Sequence, residues 1–251
     1  MRNRTGASQR KNNRHLLFGT QVFIIETIDE IRGLLAKSGG KWKIHMARPI
    51  DIKDEEIIEI AQELFLKKGI AATEMKDIAQ RAGIGRSSLY RHFESKESIA
   101  FNVAVHILTE IETVLEEPEP RTETGAQALL QVLNRYMNKL IEHPKWVRFL
   151  DEFDQFFSDV YPKSKAAEEY ISFNRRLSSG MVDVALKKGE QDGSLKLHGS
   201  IRFTGLFLLN TLLAMAQRII PRAEHYQQEH GYSQEYLSLL PQILVNGISA
   251  K

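Results

Sequence analysis

The stretch RAGIGRSSLYRHFESKE, Arg81 to Glu97, decides the reading of the fold. It mixes small residues, hydroxyls, two aromatics and several basic side chains, with glycine at 83 and 85. Just upstream, TEMKDIAQRAG predicts a short helix with Thr73 as N-cap and Gly83 as its stop. A second short helix is expected from about Gly85 to Phe93. Two short helices joined through RAGIG make a helix-turn-helix, because Gly83 supplies a backbone conformation that a Cβ would make costly. Ile78, Ala79, Ile84 and Leu89 can pack the pair together, which leaves Arg86, Ser87, Ser88, Tyr90, Arg91 and His92 for display.

Outward from this stretch the chain reads as helix after helix. DIKDEEIIEIAQELFLKKG places Ile57, Ile58, Ala61, Leu64 and Phe65 on one stripe, with acidic residues in its first turn and Lys67 and Lys68 in its last. Ser95 caps a longer helix, KESIAFNVAVHILTEIETVLEE, that ends before Pro118. EPEPRTETG, Glu117 to Gly125, reads as a linker. Beyond it come AQALLQVLNRYMNKLIEH, a helix opening at Pro144, and SKAAEEYISFNRRLSSGMVDVALKKGEQDG as one long helix. SIRFTGLFLLNTLLAMAQRII follows, then a polar loop containing EHYQQEH, then a last helix, SQEYLSLLPQILVNGI, that Pro241 kinks or delays.

Residues 1–45 differ from the rest. They carry nine Lys/Arg against three Asp/Glu, whereas the other 206 residues carry 25 against 29. MRNRTGASQRKNNR shows no periodicity, and FIIETIDEIRGLLAKSGG shows a brief helical pattern. MARPIDIKDEEI opens like a fresh chain. Met46 is therefore read as the biological start and residues 1–45 as an extension; the alternative is a basic arm that touches a nucleic-acid backbone. With no cysteine, no disulfide framework or thiolate metal site is possible. An apolar content of 42% in 251 residues supports a substantial core. No uninterrupted apolar run reaches the roughly 18 residues of a membrane span, and FTGLFLLNTLLAMA reads as a buried helix.

The displayed set on the second short helix suits a DNA major groove. Arg86 can donate two hydrogen bonds to a guanine edge, and Ser87 and Ser88 can reach bases or phosphates. Tyr90, Arg91 and His92 can face phosphates, Lys96 adds charge beside a helix N-terminus, and Thr73 sits at another. Each has a plainer alternative: a solvated charged face, a core ring for Tyr90, a local cap for His92.

GIAATEMKDIAQRAGIGRSSLYRHFESKESI resembles the DNA-binding region of the TetR family of bacterial regulators. The resemblance is carried by Gly69, Thr73, Asp77, Ile78, Ala79, Ala82, Gly83, Ile84, Leu89, Tyr90, His92, Phe93, Lys96 and Glu97. It departs at Gly85, where the family usually places a serine. The resemblance implies an all-α homodimer: a three-helix helix-turn-helix DNA-binding domain, 46–97, and a larger helical ligand-binding and dimerisation domain, 98–251. It also implies a cytoplasmic, non-enzymatic regulator, in most members a repressor that a small-molecule effector releases from a near-palindromic operator. A helix-turn-helix adaptor that senses a protein partner is the alternative.

For the dimer, the helices Ile201–Ile220 and Ser233–Ile248 carry more apolar surface than one buried face needs, and the helix from Lys96 to Glu116 would link reader to sensor. Tyr136, Trp146, Phe149, Phe153, Phe157, Phe173, Met181 and Phe207 are the candidate effector contacts, with an aromatic core stripe as the competing reading. No catalytic constellation, cofactor motif or metal-ligand spacing is visible; His225 and His230, five apart, do not share a helix face.

Overall fold

The computed structural model describes residues 53–117, 122–176 and 180–250, together with two short strands near the N-terminus. The chain divides into two compact units at Asp51 and Ile52. In the first, β1 (Arg14–Phe18) pairs antiparallel with β2 (Gln21–Ile25), Leu16 opposite Phe23. The helical pattern expected from Phe23 therefore gives way to strand over Phe23–Ile25, where β-branched and aromatic side chains run together. The rest of that pattern, the Met46 start and the Pro-rich part of the linker lie outside the described residues.

The second unit is entirely helical among its described elements, apart from one isolated bridge between Leu195 and Ser249. α1 (Asp54–Lys68) buries Ile57, Ala61 and Phe65 and stops at Gly69, whose φ of +85° takes the chain out of the helix. α2 (Met75–Arg81) begins one residue later than expected. Its N-cap is Glu74, in a capping box with Asp77, and not Thr73. Thr73 is fully buried, with its hydroxyl donating to the Gly69 carbonyl at 2.7 Å. The turn into α3 (Arg86–His92) closes with Ile84 N–H donating back to Ala79 at 3.0 Å, and Gly83 sits at φ +67°. α4 (Lys96–Glu112) is capped by Ser95, which exchanges bonds with Ser98.

Beyond the linker lie α5 (Gly125–Glu142), capped by Thr124 with Gln127, and α6 (Pro144–Phe156), with Pro144 in its first turn. The long helix expected next is two: α7 (Lys165–Arg176) and α8 (Met181–Asp192), parted before Gly180, which has φ +50° and lies against the Leu115 carbonyl. α9 (Ile201–Ile219) is capped by Ser200. EHYQQEH, expected as loop, is most of α10 (Ala223–His230); polar residues with few β-branched members cost a helix little. α11 (Gln234–Ile248) carries Pro241 inside it.

α5 and α8 cross at Gly125 and Gly189 so closely that a Cβ on Gly125 would fall 2.0 Å from the Gly189 nitrogen. The turn after α8 caps α5 from outside: Asp192 accepts from Gly125 N–H at 2.7 Å and the Ser194 hydroxyl from Ala126 N–H at 3.0 Å. By length and composition, Lys96–Leu115 and Ile201–His230 would each suffice to cross a membrane. Within the fold, α4 is largely enclosed, with Ile99, Phe101, Val103 and Ile107 fully buried, and α9 buries one side through Leu208, Leu212, Ala216 and Ile219.

Candidate nucleic-acid interface

α3 is seven residues long, so its exposed side is set by which residues hold it down. Leu89 is fully buried and Phe93, just past its end, nearly so. The rest of the helix surface is left outside: Arg86, Ser87, Tyr90 and Arg91 are exposed, and Ser88 is half-buried. Tyr90 is 51% exposed, which removes the core alternative for its ring. Arg91 donates to the Ser88 hydroxyl at 3.0 Å and so lies along the helix surface. Lys76 on α2 adds a cation close enough to feel the charge of Arg86; its bond with Glu74 raises its pKa. Lys76 was missed in the sequence because nothing there places α2 and α3 side chains on one side.

Three candidates are placed differently from the expectation. Thr73 is enclosed, as described above. His92 is held by Asp54 at the start of α1, Nδ1 to Oδ1 at 2.6 Å, and so ties α3 to α1. Lys96 turns its ammonium away from α3, donating to the carbonyls of Ile70 at 2.8 Å and Ala71 at 3.2 Å. These carbonyls belong to the loop that follows Gly69, and the ammonium gives that loop a charged donor.

α3 is thereby fixed from below by local bonds and leaves basic and hydroxyl side chains on its outer side. A family model for bacterial regulatory proteins of the tetR family matches residues 57–103, the span from α1 into α4. That segment is similar to the DNA-binding part of tetR-family regulators. The chain is 52% identical over 44 residues to the HTH-type transcriptional repressor KstR2 of Rhodococcus jostii. That match spans 18% of this chain and 22% of the relative. It is 26% identical over 190 residues to KstR2 of Mycolicibacterium smegmatis, covering 74% and 87% of the two. Among solved structures, a tetR-family regulator from Rhodococcus RHA1 superposes with TM-score 0.57 at 15% identity, over 79% of this chain and 98% of that one. FadR of Bacillus subtilis in complex with stearoyl-CoA does so with TM-score 0.57 at 18% identity, over 78% and 100%. These structural likenesses speak for the all-α fold.

The effector candidates scatter. Tyr136 of α5 lines a cavity of about 50 Å³ with Leu108 and Glu112 of α4, Asn174 of α7 and Leu209 and Leu213 of α9. Burial, helped by Glu116, pushes the Glu112 carboxyl up to about 7; burial and Glu112 together push the Tyr136 hydroxyl up. Glu112, Asn174 and the α9 leucines were not legible as partners, since they meet only when four helices pack. Phe149, Phe153 and Phe157 instead sit in the core. Phe149 stacks on Phe65 of α1 at 6.0 Å, and Phe153 and Phe157 lie 5.1 and 4.5 Å from Phe101 of α4. Trp146 stacks on His143 at 3.9 Å, beneath the Lys139 ammonium. Phe173 and Met181 pack partly buried against the core, and Phe207 is 57% exposed. Among the described residues no group of three or more His, Asp or Glu is placed to hold a metal ion.

Proposed function

We propose that this chain is a sequence-specific DNA-binding transcriptional repressor that acts as a homodimer in the cytoplasm and leaves its operator when a small molecule binds. It is read as having no enzymatic activity. The observation that carries the reading is the exposure of Arg86, Ser87, Tyr90 and Arg91 along α3, beside half-buried Ser88; in this reading Arg86, Ser87 and Ser88 would meet base edges and Tyr90 and Arg91 phosphates. The curated relatives named repressors support its sign. The homodimer is supported by α9 and α11, which leave Phe203, Phe207, Leu239 and Ile243 more than half exposed, an apolar face too large to leave wet. Two readers related by a two-fold axis would meet a near-palindromic site at about 34 Å or a related spacing.

In this reading the reader spans 46–97 and the sensor 98–251. α4 joins them, reaching from Ser95 beside the reader to Glu112 in the cavity. An effector in the Glu112–Tyr136 cavity would release DNA only as far as it binds the mismatched-spacing state more tightly. The test is selection of an operator followed by titration of Arg86→Ala. Loss of about 1–3 kcal/mol at one base pair, with preference relaxed there, is expected. Wild-type affinity and preference would refute the assignment.

A further inference from the structure

The segment that joins α1 to α2 is held from both sides by side chains that belong to later helices. Glu152, in the middle of α6, accepts from the backbone N–H of Ile70 at 2.6 Å and of Ala71 at 3.4 Å. Lys96, the first residue of α4, donates to the carbonyls of the same two residues. One carboxylate thus takes both amides of the turn and one ammonium takes both carbonyls. The contact is close: a Cβ on Gly69 would lie 2.8 Å from Glu152 Oε1, so glycine is what lets the carboxylate reach the turn. Below it, Phe65 stacks on Phe149, and the Lys96 ammonium stands 5.7 Å from the Phe156 ring.

The Glu152 and Phe149 contacts join α6 to the reader, and Lys96 ties the start of α4 to the same turn and to Phe156 of α6. Nothing in holding a core together requires a charged carboxylate here, since the rings of Phe65 and Phe149 already bury the seam. Charge-assisted bonds to a backbone turn are short and directional, so they fix an angle where apolar packing alone allows sliding. We propose that Glu152 is a positioning residue that sets the angle of the reader against the sensor helices, clasping the Gly69–Ala71 turn against Lys96. This deepens, and rests on, the reading of the chain as a dimeric repressor. A movement of α6 carries the turn with it, and the turn carries α2 and α3. The spacing of the two recognition helices in a dimer then depends on the clasp, and so does the rejection of operators with the wrong spacing.

The test uses the full-length chain, its selected operator, and operators with one or two base pairs inserted at the centre. Wild type is expected to lose at least about tenfold in affinity on insertion, because the half-sites rotate and part. Glu152→Gln keeps one acceptor oxygen and the shape but loses the charge. It should bind the native spacing with a smaller change, at most about threefold, while its insertion penalty shrinks to about threefold or less. Hydrogen exchange supplies a readout that needs no DNA: the Ile70 and Ala71 amides should exchange at least about tenfold faster in Glu152→Gln, with α9 core amides unchanged. An unchanged insertion penalty, or unchanged exchange at those two amides, overturns the proposal. Loss of binding at every spacing alike, with α9 amides exchanging faster, also overturns it by making Glu152 merely structural. If Arg86→Ala leaves operator binding intact, the failure belongs to the reader assignment.

Discussion

In the reader, fourteen residues of α2 and α3 contain nearly every decision: Ile78 and Leu89 go inward, Arg86 and Tyr90 outward, and Gly83 turns the chain between them. In the sensor, the decisive contacts come from residues far apart in the chain. Glu112 and Tyr136 meet leucines of α9 around one cavity, and α5 meets α8 at a pair of glycines. The reader works by what it leaves outside, and the sensor by how closely its helices approach. Substitutions on the exposed side of α3 should therefore change recognition with little cost in stability, and substitutions at the close helix crossings of the sensor the reverse.

The largest effect is expected at the α5–α8 crossing. A Cβ on Gly125 meets backbone atoms, Gly189 N at 2.0 Å and the Lys188 carbonyl carbon at 2.7 Å, which no side-chain rotation relieves. The helices must part, and the caps that Asp192 and Ser194 give to α5 stretch with them. Gly125→Ala should destabilise the chain by about 3 kcal/mol, read from its urea midpoint. A midpoint equal to wild type would mean that the crossing is looser than described, and would weaken the contrast with the reader.

The same contrast explains what the sequence discloses. The helix-turn-helix is legible because its packing partners lie within a dozen residues, so local spacing fixes who faces whom. The errors inside it are errors of competition between neighbours. Thr73 and Glu74 could each cap α2; burial of Thr73 against Gly69 leaves the cap to Glu74. Lys96 is expected at phosphate, but its ammonium is taken up by the Ile70 and Ala71 carbonyls of the loop after α1. The aromatic stripe of α6 was legible as a stripe, yet spacing alone says nothing about what it faces. Phe149 and Phe153 face Phe65 and Phe101. Glu112 gave no sign at all, since its burial is made by α5 and α9.

Glu112 supplies a second, smaller way to press the comparison, through pH. Its carboxyl titrates near 7 when folded and near 4.5 as an ordinary glutamate. Between those values the unfolded chain has lost this proton and the folded chain keeps it. This group therefore makes stability fall as pH rises from about 4.5 to 7, with the loss complete above 7. Asp154, also raised by burial, pulls in the same direction, so the comparison must be between variants. Glu112→Gln should flatten part of the decline in thermal midpoint over that range and leave operator affinity without effector unchanged. Parallel curves for the two proteins would show the carboxyl to be well solvated and the cavity open to water.

The smallest effect is expected in the reader, at Gly85. It is the N-cap of α3, at φ −69° and ψ 148°, with no side chain to cap the helix and nothing within 4 Å of where a Cβ would stand. Serine fits that backbone without strain, and its hydroxyl can accept from a first-turn amide. Gly85→Ser should gain only a few tenths of a kcal/mol in stability, because glycine is itself a tolerable cap. A hydroxyl at the start of α3 also stands beside Arg86 and Ser87, on the edge of the proposed DNA face. A gain in operator affinity larger than the gain in stability would place the first turn of α3 against a phosphate. Equal and small gains would leave position 85 as a cap and nothing more. A loss of affinity would mean that DNA approaches the bare backbone there, and that glycine is kept for closeness, as it is between α5 and α8.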